Sequence, residues 1–123
     1  MTQRGALIAI VDDDASVCRA LQRLVRSLGY VVATFGCGQE FLDRLAAPPP
    51  FRPDCVVLDI HMPGMTGIEV QQRLAGTGLP IVFITAHDDP VLREQALTAG
   101  AKAFLRKPFD DELFLETLDA ALS

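Results

Sequence analysis

The sequence lacks the marks of a secreted, membrane-spanning or thiolate-metal protein. Its three cysteines, Cys18, Cys37 and Cys55, are an odd number without CxxC spacing, so we expect buried free thiols and neither a disulfide nor a thiolate metal site. The first five residues lack the apolar segment of a secretion signal. No uninterrupted apolar run approaches the ~18 residues that cross a membrane. These absences predict a cytoplasmic protein that makes no membrane contact.

Positive charge is also scarce. The chain has 11 lysines and arginines against 16 aspartates and glutamates, which gives a net charge of -5. Because no lysine or arginine cluster is available to neutralise phosphates, a nucleic-acid-binding surface is disfavoured. The 123 residues suffice for one ordinary domain, and a hydrophobic content of 50% predicts a well-packed core.

Five short apolar runs alternate with five segments of helical periodicity. The runs occupy residues 6–11, 31–35, 55–58, 80–84 and 103–105. The helical segments occupy residues 15–28, 39–46, 67–74, 90–99 and 110–122. Continuous apolar runs are typical of strands covered on both faces. The alternation therefore predicts an α/β fold built on a parallel sheet with helices on either side.

Polar residues follow four of the five predicted strands. Because the crossovers share one hand, the carboxyl ends of the strands meet at one edge of the sheet, where doubly wound folds bind ligands. Several carboxylates brought together repel one another unless a cation lies among them. The residues expected at this edge are Asp12, Asp13, Asp14, Asp59, Thr85 and Lys107.

The chemistry of these residues indicates a phosphoryl-handling site. Carboxylate oxygens suit Mg²⁺ better than they suit zinc. A lysine and a hydroxyl beside the metal would suit a phosphoryl group. Asp59, at the tip of the apolar run 55–58, then becomes a nucleophile of the aspartyl-phosphate kind.

Asp14 is open to two interpretations. It precedes a helical segment, so it could cap that helix. It could also be a third ligand beside Asp12 and Asp13, or the motif could be shifted by one residue so that Asp13 and Asp14 form the acidic pair. We favour the cap, because Asp12 and Asp13 already supply an acidic pair.

Four motifs follow one another along the chain: Ile10-Val11-Asp12-Asp13, the ten residues LDIHMPGMTG from Leu58 to Gly67, Ile84-Thr85-Ala86, and Arg106-Lys107-Pro108-Phe109. In their order and spacing they resemble the receiver domain of a two-component response regulator. The resemblance runs from about Leu7 to Leu122. It implies the flavodoxin-like (βα)5 fold, a doubly wound parallel sheet with strand order 2-1-3-4-5. The contexts of Phe41 and of Lys107 are similar to those of the FixJ-like regulators.

The resemblance implies how the acidic residues act. Asp59 would accept a phosphoryl group from a sensor histidine kinase or a phosphotransfer protein. Asp13 would bind Mg²⁺ directly, and Asp12 would hold the ion partly through water. The backbone carbonyl of His61 would complete the protein ligands beside Asp59, so the imidazole of His61 is not needed for metal binding.

The resemblance also implies roles for residues on the last two strands. Thr85 would hydrogen-bond one phosphoryl oxygen, and Lys107 would pair with another, beside a cis bond to Pro108. Phe104 occupies the position of an aromatic switch residue, which turns inward as Thr85 moves toward the phosphoryl group. Ordinary core packing is the alternative for Phe104.

Two histidines are expected to flank the phosphoryl group. His61 lies two residues after Asp59, and His87 lies two residues after Thr85. In the family these positions tune hydrolysis, so their side chains would set the lifetime of the phosphorylated state. A metal site built on the two imidazoles is the less favoured alternative.

The implied function is a phosphorylation-controlled switch. Phosphorylation of Asp59 would shift a pre-existing equilibrium in the surface of the fourth helix, fifth strand and fifth helix, where a partner or a second copy would bind. The domain would catalyse only its own phosphoryl transfer and hydrolysis, and so would not be a metabolic enzyme. We expect residues 1–123 to be a single receiver domain, either a stand-alone regulator or the N-terminal part of a longer chain.

Two alternatives remain open. An aspartyl-phosphate phosphatase would need an aspartate two residues past its nucleophile, and His61 occupies that position. A degenerate receiver would act independently of phosphorylation, and the complete set of acids together with Lys107 counts against it.

Overall fold

The computed structural model describes residues 5–123, in which five strands alternate with five helices. The predicted alternation is confirmed, and each boundary agrees with the prediction to within two residues. The expectation that the chain begins without a secretion signal concerns mainly residues 1–4, which lie outside the described residues. The elements are β1 (Leu7–Val11), α1 (Ala15–Arg26), β2 (Val31–Phe35), α2 (Gly38–Ala46), β3 (Cys55–Asp59), α3 (Gly67–Arg73), β4 (Ile81–Thr85), α4 (Pro90–Thr98), β5 (Ala103–Arg106) and α5 (Asp111–Leu122).

The strands form one parallel sheet in the order β2-β1-β3-β4-β5. This is the flavodoxin-like order implied by the resemblance, and it is confirmed. β2 lies on one side of β1 in the sheet. β3, β4 and β5 follow in order on the other side of β1. The order therefore reverses between β1 and β3, where folds of this type bind their ligands.

Successive strand residues enter two separate cores, one on each face of the sheet. Ala9, Val11 and Leu58 pack against α2, α3 and α4. Ile8 and Ile10 pack against α1 and α5. Because both faces are covered, every residue of β3 and β4 is buried, which explains why the apolar runs are continuous.

Three helix starts are fixed by side-chain caps. Asp14 caps α1, and Asp89 caps α4 ahead of Pro90. Thr66 and Glu69 form a reciprocal capping box at the start of α3. These helices therefore begin immediately after the loops that border the carboxyl edge of the sheet.

One expectation about burial is wrong, and the first helix ends two residues earlier than predicted. Cys37 is half-buried, because it lies at the N-cap position of α2 and not within the core, whereas Cys18 and Cys55 are buried. Leu28, assigned to the first helical segment, is 40% exposed because α1 ends at Arg26. Burial raises the pKa of the Cys55 thiol to about 12, so this thiol is unreactive.

The helices are all short. The longest, α1 and α5, have 12 residues each. Within residues 5–123, no helix has the length and apolar character needed to cross a bilayer.

Candidate functional site

The site is centred on Asp59, the last residue of β3. The strand is buried along its whole length, and Asp59 itself is only 4% exposed. In the sheet, Asp59 lies beside Ile84 of β4. A carboxylate held this far from water needs a cation or hydrogen-bond donors near it.

Lys107 brings a positive charge to two of the carboxylates. Its Nζ lies 2.8 Å from Oδ2 of Asp12 and 3.7 Å from Oδ1 of Asp59, and the lysine side chain is 19% exposed. The backbone N–H of Lys107 donates to the carbonyl of Thr85 at 2.7 Å, which ties the end of β5 to the end of β4. The Lys107–Pro108 peptide is cis, as expected.

Three carboxylates cluster at the switch point of the sheet. Oxygen atoms of Asp12, Asp13 and Asp59 lie within 4.8 Å of one another, and among residues 5–123 this is the one group of three or more side chains that could hold a metal ion. Asp12 and Asp59 are buried, whereas Asp13 is exposed. An all-oxygen set open to water on one side fits Mg²⁺, which keeps several waters when bound by carboxylates.

Burial sets the protonation of Asp59. Desolvation, followed by the charge of Asp12, raises the pKa of Asp59 to about 7, and Lys107 only partly offsets these effects. Burial on its own would lower the pKa of Lys107, but its hydrogen bond to Asp12 and the charge of Asp59 raise that pKa above its ordinary value. Near neutral pH the Lys107 ammonium therefore stays charged, while Asp59 is present in both its protonated and its ionised form.

Magnesium affinity should consequently depend on pH. Below the Asp59 pKa of about 7 the ion must displace a proton, so its apparent affinity should rise by up to about tenfold per pH unit between about pH 6 and 7 and level off above. Isothermal titration calorimetry with MgCl₂ measures this slope. Asp59→Asn removes the titrating group and should flatten the profile, and an unchanged slope in that variant would contradict the assignment.

Asp14 lies at the helix cap and not in the acidic cluster. Its Oδ1 accepts hydrogen bonds from the backbone N–H of Ser16 at 2.9 Å and from the Ser16 hydroxyl at 2.6 Å. These hydrogen bonds hold the pKa of Asp14 below its usual value. The backbone N–H of Asp14 in turn donates to Oδ1 of Asp12 at 2.9 Å. The structure thus favours the Asp12–Asp13 pair over the shifted frame.

Thr85 and Phe104 lie on the neighbouring strands β4 and β5. Thr85 is 1% exposed, and its Oγ1 accepts a hydrogen bond from the backbone N–H of His87 at 3.2 Å. Phe104 is half-buried, and its ring lies 6.3 Å from that of Phe83, centroid to centroid. The packing of Phe104 is that of a core aromatic, and its role as a switch stays a prediction.

His61 and His87 meet at the rim of the site. Their rings pack edge to face with centroids 4.8 Å apart, and both side chains are exposed. The contact joins the loop after β3 to the loop after β4. Their influence on the lifetime of a phosphoryl group stays a prediction.

Gly67 allows the β3–α3 loop to lie against the end of β3. Its N–H donates to the carbonyl of Ile60 at 2.8 Å. A Cβ on Gly67 would lie 2.3 Å from the carbonyl oxygen of Asp59 and 2.9 Å from Cα of Ile60. No side chain fits there, so this glycine fixes the backbone on which His61 is carried.

Two neighbours of the site were not anticipated. The thiol of Cys18 donates to the backbone carbonyl of Asp12 at 3.3 Å, and Arg106 lies 3.9 Å from the carboxylate of Asp88. The helical periodicity places Cys18 on the buried face of α1, but only the fold reveals its acceptor. The Arg106–Asp88 pair is exposed, and no pattern in the sequence predicts it.

The sheet order and the acidic cluster together define a flavodoxin-like α/β domain with a pocket suited to a cation. The chain belongs to the response regulator receiver domain family, whose model matches residues 8–119. This membership confirms the predicted resemblance, and FixJ is among its relatives.

Named relatives support the family assignment. The chain is 40% identical to the response regulator protein TodT of Pseudomonas putida, over 99% of this chain and 53% of TodT. It is 38% identical to the transcriptional regulatory protein FixJ of Bradyrhizobium diazoefficiens, over 99% of this chain and 58% of FixJ. The chain thus spans about half the length of these curated relatives.

A solved structure agrees with the fold. The crystal structure of a response regulator receiver protein from Burkholderia phymatum is similar to this chain, with a TM-score of 0.87 and 59% sequence identity. The match covers 95% of this chain and 94% of that protein.

Proposed function

We propose that residues 1–123 act in the cytoplasm as one phosphorylation-controlled switch, in which Asp59 accepts a phosphoryl group from a sensor histidine kinase or a phosphotransfer protein. One observation carries this proposal. The buried Asp59 carboxylate lies beside an acidic pair that could hold Mg²⁺ and has the Lys107 ammonium 3.7 Å from its oxygen. The arrangement offers a nucleophile together with positive charge for the arriving group.

Each residue around Asp59 has a task in this proposal. An oxygen of Asp59 forms the bond to phosphorus, while the donor departs with the electrons of the bond that breaks. Mg²⁺, when bound, would neutralise charge on the phosphoryl oxygens. The Thr85 hydroxyl would donate to one of these oxygens, and the Lys107 ammonium would pair with another. The Mg²⁺ ligands would be Asp12, Asp13, Asp59 and the backbone carbonyl of His61.

The output surface in this proposal is formed by α4, β5 and α5. Val91 is 75% exposed, Leu97 is 38% exposed and Leu113 is 46% exposed, which is unusual for large apolar side chains. A hollow of about 430 Å³, partly lined by Phe104, lies among these elements. Such a surface suits a protein partner or a second copy that binds when Thr85 and Phe104 rearrange.

We place the chain outside the metabolic enzymes. A phosphatase of this chemistry needs an acid two residues past its nucleophile, and His61 occupies that position. The edge-to-face pair of His61 and His87 would instead set how quickly water removes the phosphoryl group from Asp59. The complete acidic pair and Lys107 count against a receiver that acts independently of phosphorylation.

Labelling with a small phosphodonor tests the proposal. Incubation with acetyl phosphate should add one phosphoryl group, detected by intact-mass spectrometry. The label should require Mg²⁺, be removed by hydroxylamine as an acyl phosphate is, and map to Asp59 by peptide mass spectrometry. Labelling that is independent of Mg²⁺, or that maps to another residue, would overturn the assignment.

A further inference from the structure

We propose that the outer surfaces of α1 and α5 form a docking face for a second copy of this chain. Each helix carries charge of one sign: α1 contains arginines and no acid, and α5 contains acids and no lysine or arginine. We call these two rows of charge the basic stripe and the acidic stripe. The basic stripe comprises Arg19, Arg23 and Arg26, a small local cluster that runs against the expectation from the net charge. The acidic stripe comprises Glu112, Glu116 and Asp119.

The two stripes match in spacing. Each has side chains at positions i, i+4 and i+7, which lie along one side of a helix over about 10 Å. All six side chains are exposed. The opposite sides of the helices are buried, through Cys18, Leu21 and Val25 of α1 and through Phe114 and Leu118 of α5. The stripes therefore face outward.

The stripes lie in one layer of the molecule. α1 and α5 pack into the same hydrophobic core on one face of the sheet. Both helices connect to strands of a single parallel sheet, so they run in similar directions. A two-fold axis parallel to the helices would then place each basic stripe over the acidic stripe of the other copy, in a self-complementary contact.

Within one chain the stripes combine favourable and unfavourable charges. Arg23 and Arg26 in the last turn of α1 and Glu112 in the first turn of α5 suit the helix dipoles, but neighbouring like charges repel one another. Like charges four residues apart destabilise a helix, as for Arg19 with Arg23 and for Glu112 with Glu116. Asp119 lies in the last turn of α5, where the helix dipole disfavours a carboxylate. Within residues 5–123, the ion pairs involve other side chains. A partner that carries the opposite sign would relieve this repulsion.

A second copy of the chain would present charge of the opposite sign to both stripes at the same time. A foreign partner with an acidic surface would match α1 but would repel α5, and a basic partner would do the reverse. Exposed ion pairs are individually weak and are screened by salt. The expected association is therefore weak and salt-sensitive. It shares α5 with the proposed output surface but uses α1 in place of α4 and β5.

Charge reversal tests this contact. Sedimentation equilibrium of the unphosphorylated chain should show an association constant at least tenfold weaker in about 500 mM NaCl than in about 50 mM. Reversing either stripe (R19E/R23E/R26E, or E112K/E116K/D119K) should abolish self-association, and an equimolar mixture of the two variants should restore it. A wild-type chain that stays monomeric at low salt, or a mixture that fails to associate, would overturn the proposal.

Single substitutions keep the test valid if a triple variant does not fold. Arg23→Glu should weaken self-association, whereas Arg73→Glu should not, because Arg73 is an exposed arginine on α3 with the same change of charge. Equal weakening by both variants would mean that net charge, and not the stripe, governs association. Labelling of Asp59 by acetyl phosphate should be unchanged throughout, so failure of this proposal is distinguishable from failure of the proposed function.

Discussion

Replacing Asp59 with asparagine is expected to abolish phosphorylation by acetyl phosphate completely. The carboxamide lacks the anionic oxygen that attacks phosphorus, and it removes one of the three carboxylates that could hold Mg²⁺. The matched control is Asp14→Asn, which changes a neighbouring acid that caps α1. Asparagine is an equally good cap, so this variant should be labelled like the wild type. Intact-mass spectrometry compares the two, and a labelled Asp59→Asn chain would contradict the assignment.

The same substitution should stabilise the metal-free domain at alkaline pH. The pKa of Asp59 is raised to about 7 in the folded state, against about 3.9 when unfolded. The folded state therefore binds more protons between these values, and stability falls as pH rises from about 4 to about 7. Above that range the ionised carboxylate is fully destabilising.

We expect Asp59→Asn to raise the free energy of unfolding by about 2 kcal/mol at about pH 8. Asparagine removes the desolvation cost of the buried charge and the repulsion from Asp12, but also the attraction to Lys107. The gain should vanish below about pH 3, where the Asp59 carboxyl is protonated in both the folded and the unfolded wild-type chain. Urea unfolding in EDTA, followed by circular dichroism, measures it. A variant that is less stable than the wild type at high pH would show that the Asp59 charge is well accommodated.

Gly67→Ala is expected to cost about 3 kcal/mol of stability. The new methyl group would lie 2.3 Å from the carbonyl oxygen of Asp59, and both close atoms belong to the backbone, so neither can move without shifting the end of β3. The hydrogen bond from Gly67 N–H to Ile60 would be strained as well. Because the loop carries the His61 carbonyl, Mg²⁺ affinity should fall at least tenfold.

Gly36→Ala provides the control for this glycine. A Cβ at Gly36 would meet only the end of the flexible Glu40 side chain, at 3.9 Å. Its free energy of unfolding should stay within about 0.5 kcal/mol of the wild type. Denaturation of the two variants should therefore separate a specific clash at Gly67 from a general intolerance of glycine replacement. Equal destabilisation would contradict this account.

The fold could be predicted because its signals are local. Apolar runs and helical periodicity gave the elements, and the single hand of the crossovers brought Asp12, Asp59, Thr85 and Lys107 to one edge of the sheet. Some observed element boundaries differ from the predicted ones by one or two residues, because a helix cap or a glycine sets the end of the element. Leu28 lies outside α1 because the turn to Gly29, at φ +89°, follows directly.

The contacts inside the site could not be predicted in this way. Lys107 and Asp12 are 95 positions apart, and no periodicity indicates that the ammonium contacts Asp12 at 2.8 Å. The edge-to-face arrangement of His61 and His87 depends on the paths of two loops. The burial that raises the pKa of Asp59 is likewise a property of the packed sheet and not of the strand.

The ion pair between Lys107 and Asp12 has a consequence for the timing of the switch. The ammonium already rests against a carboxylate of the acidic cluster, so the site is held together before any ligand arrives. Acceptance of a phosphoryl group then requires Lys107 to exchange its contact with Asp12 for one with the arriving group, among carboxylates that are already in place. We therefore expect the acceptor geometry to form together with the fold itself, before the phosphodonor arrives.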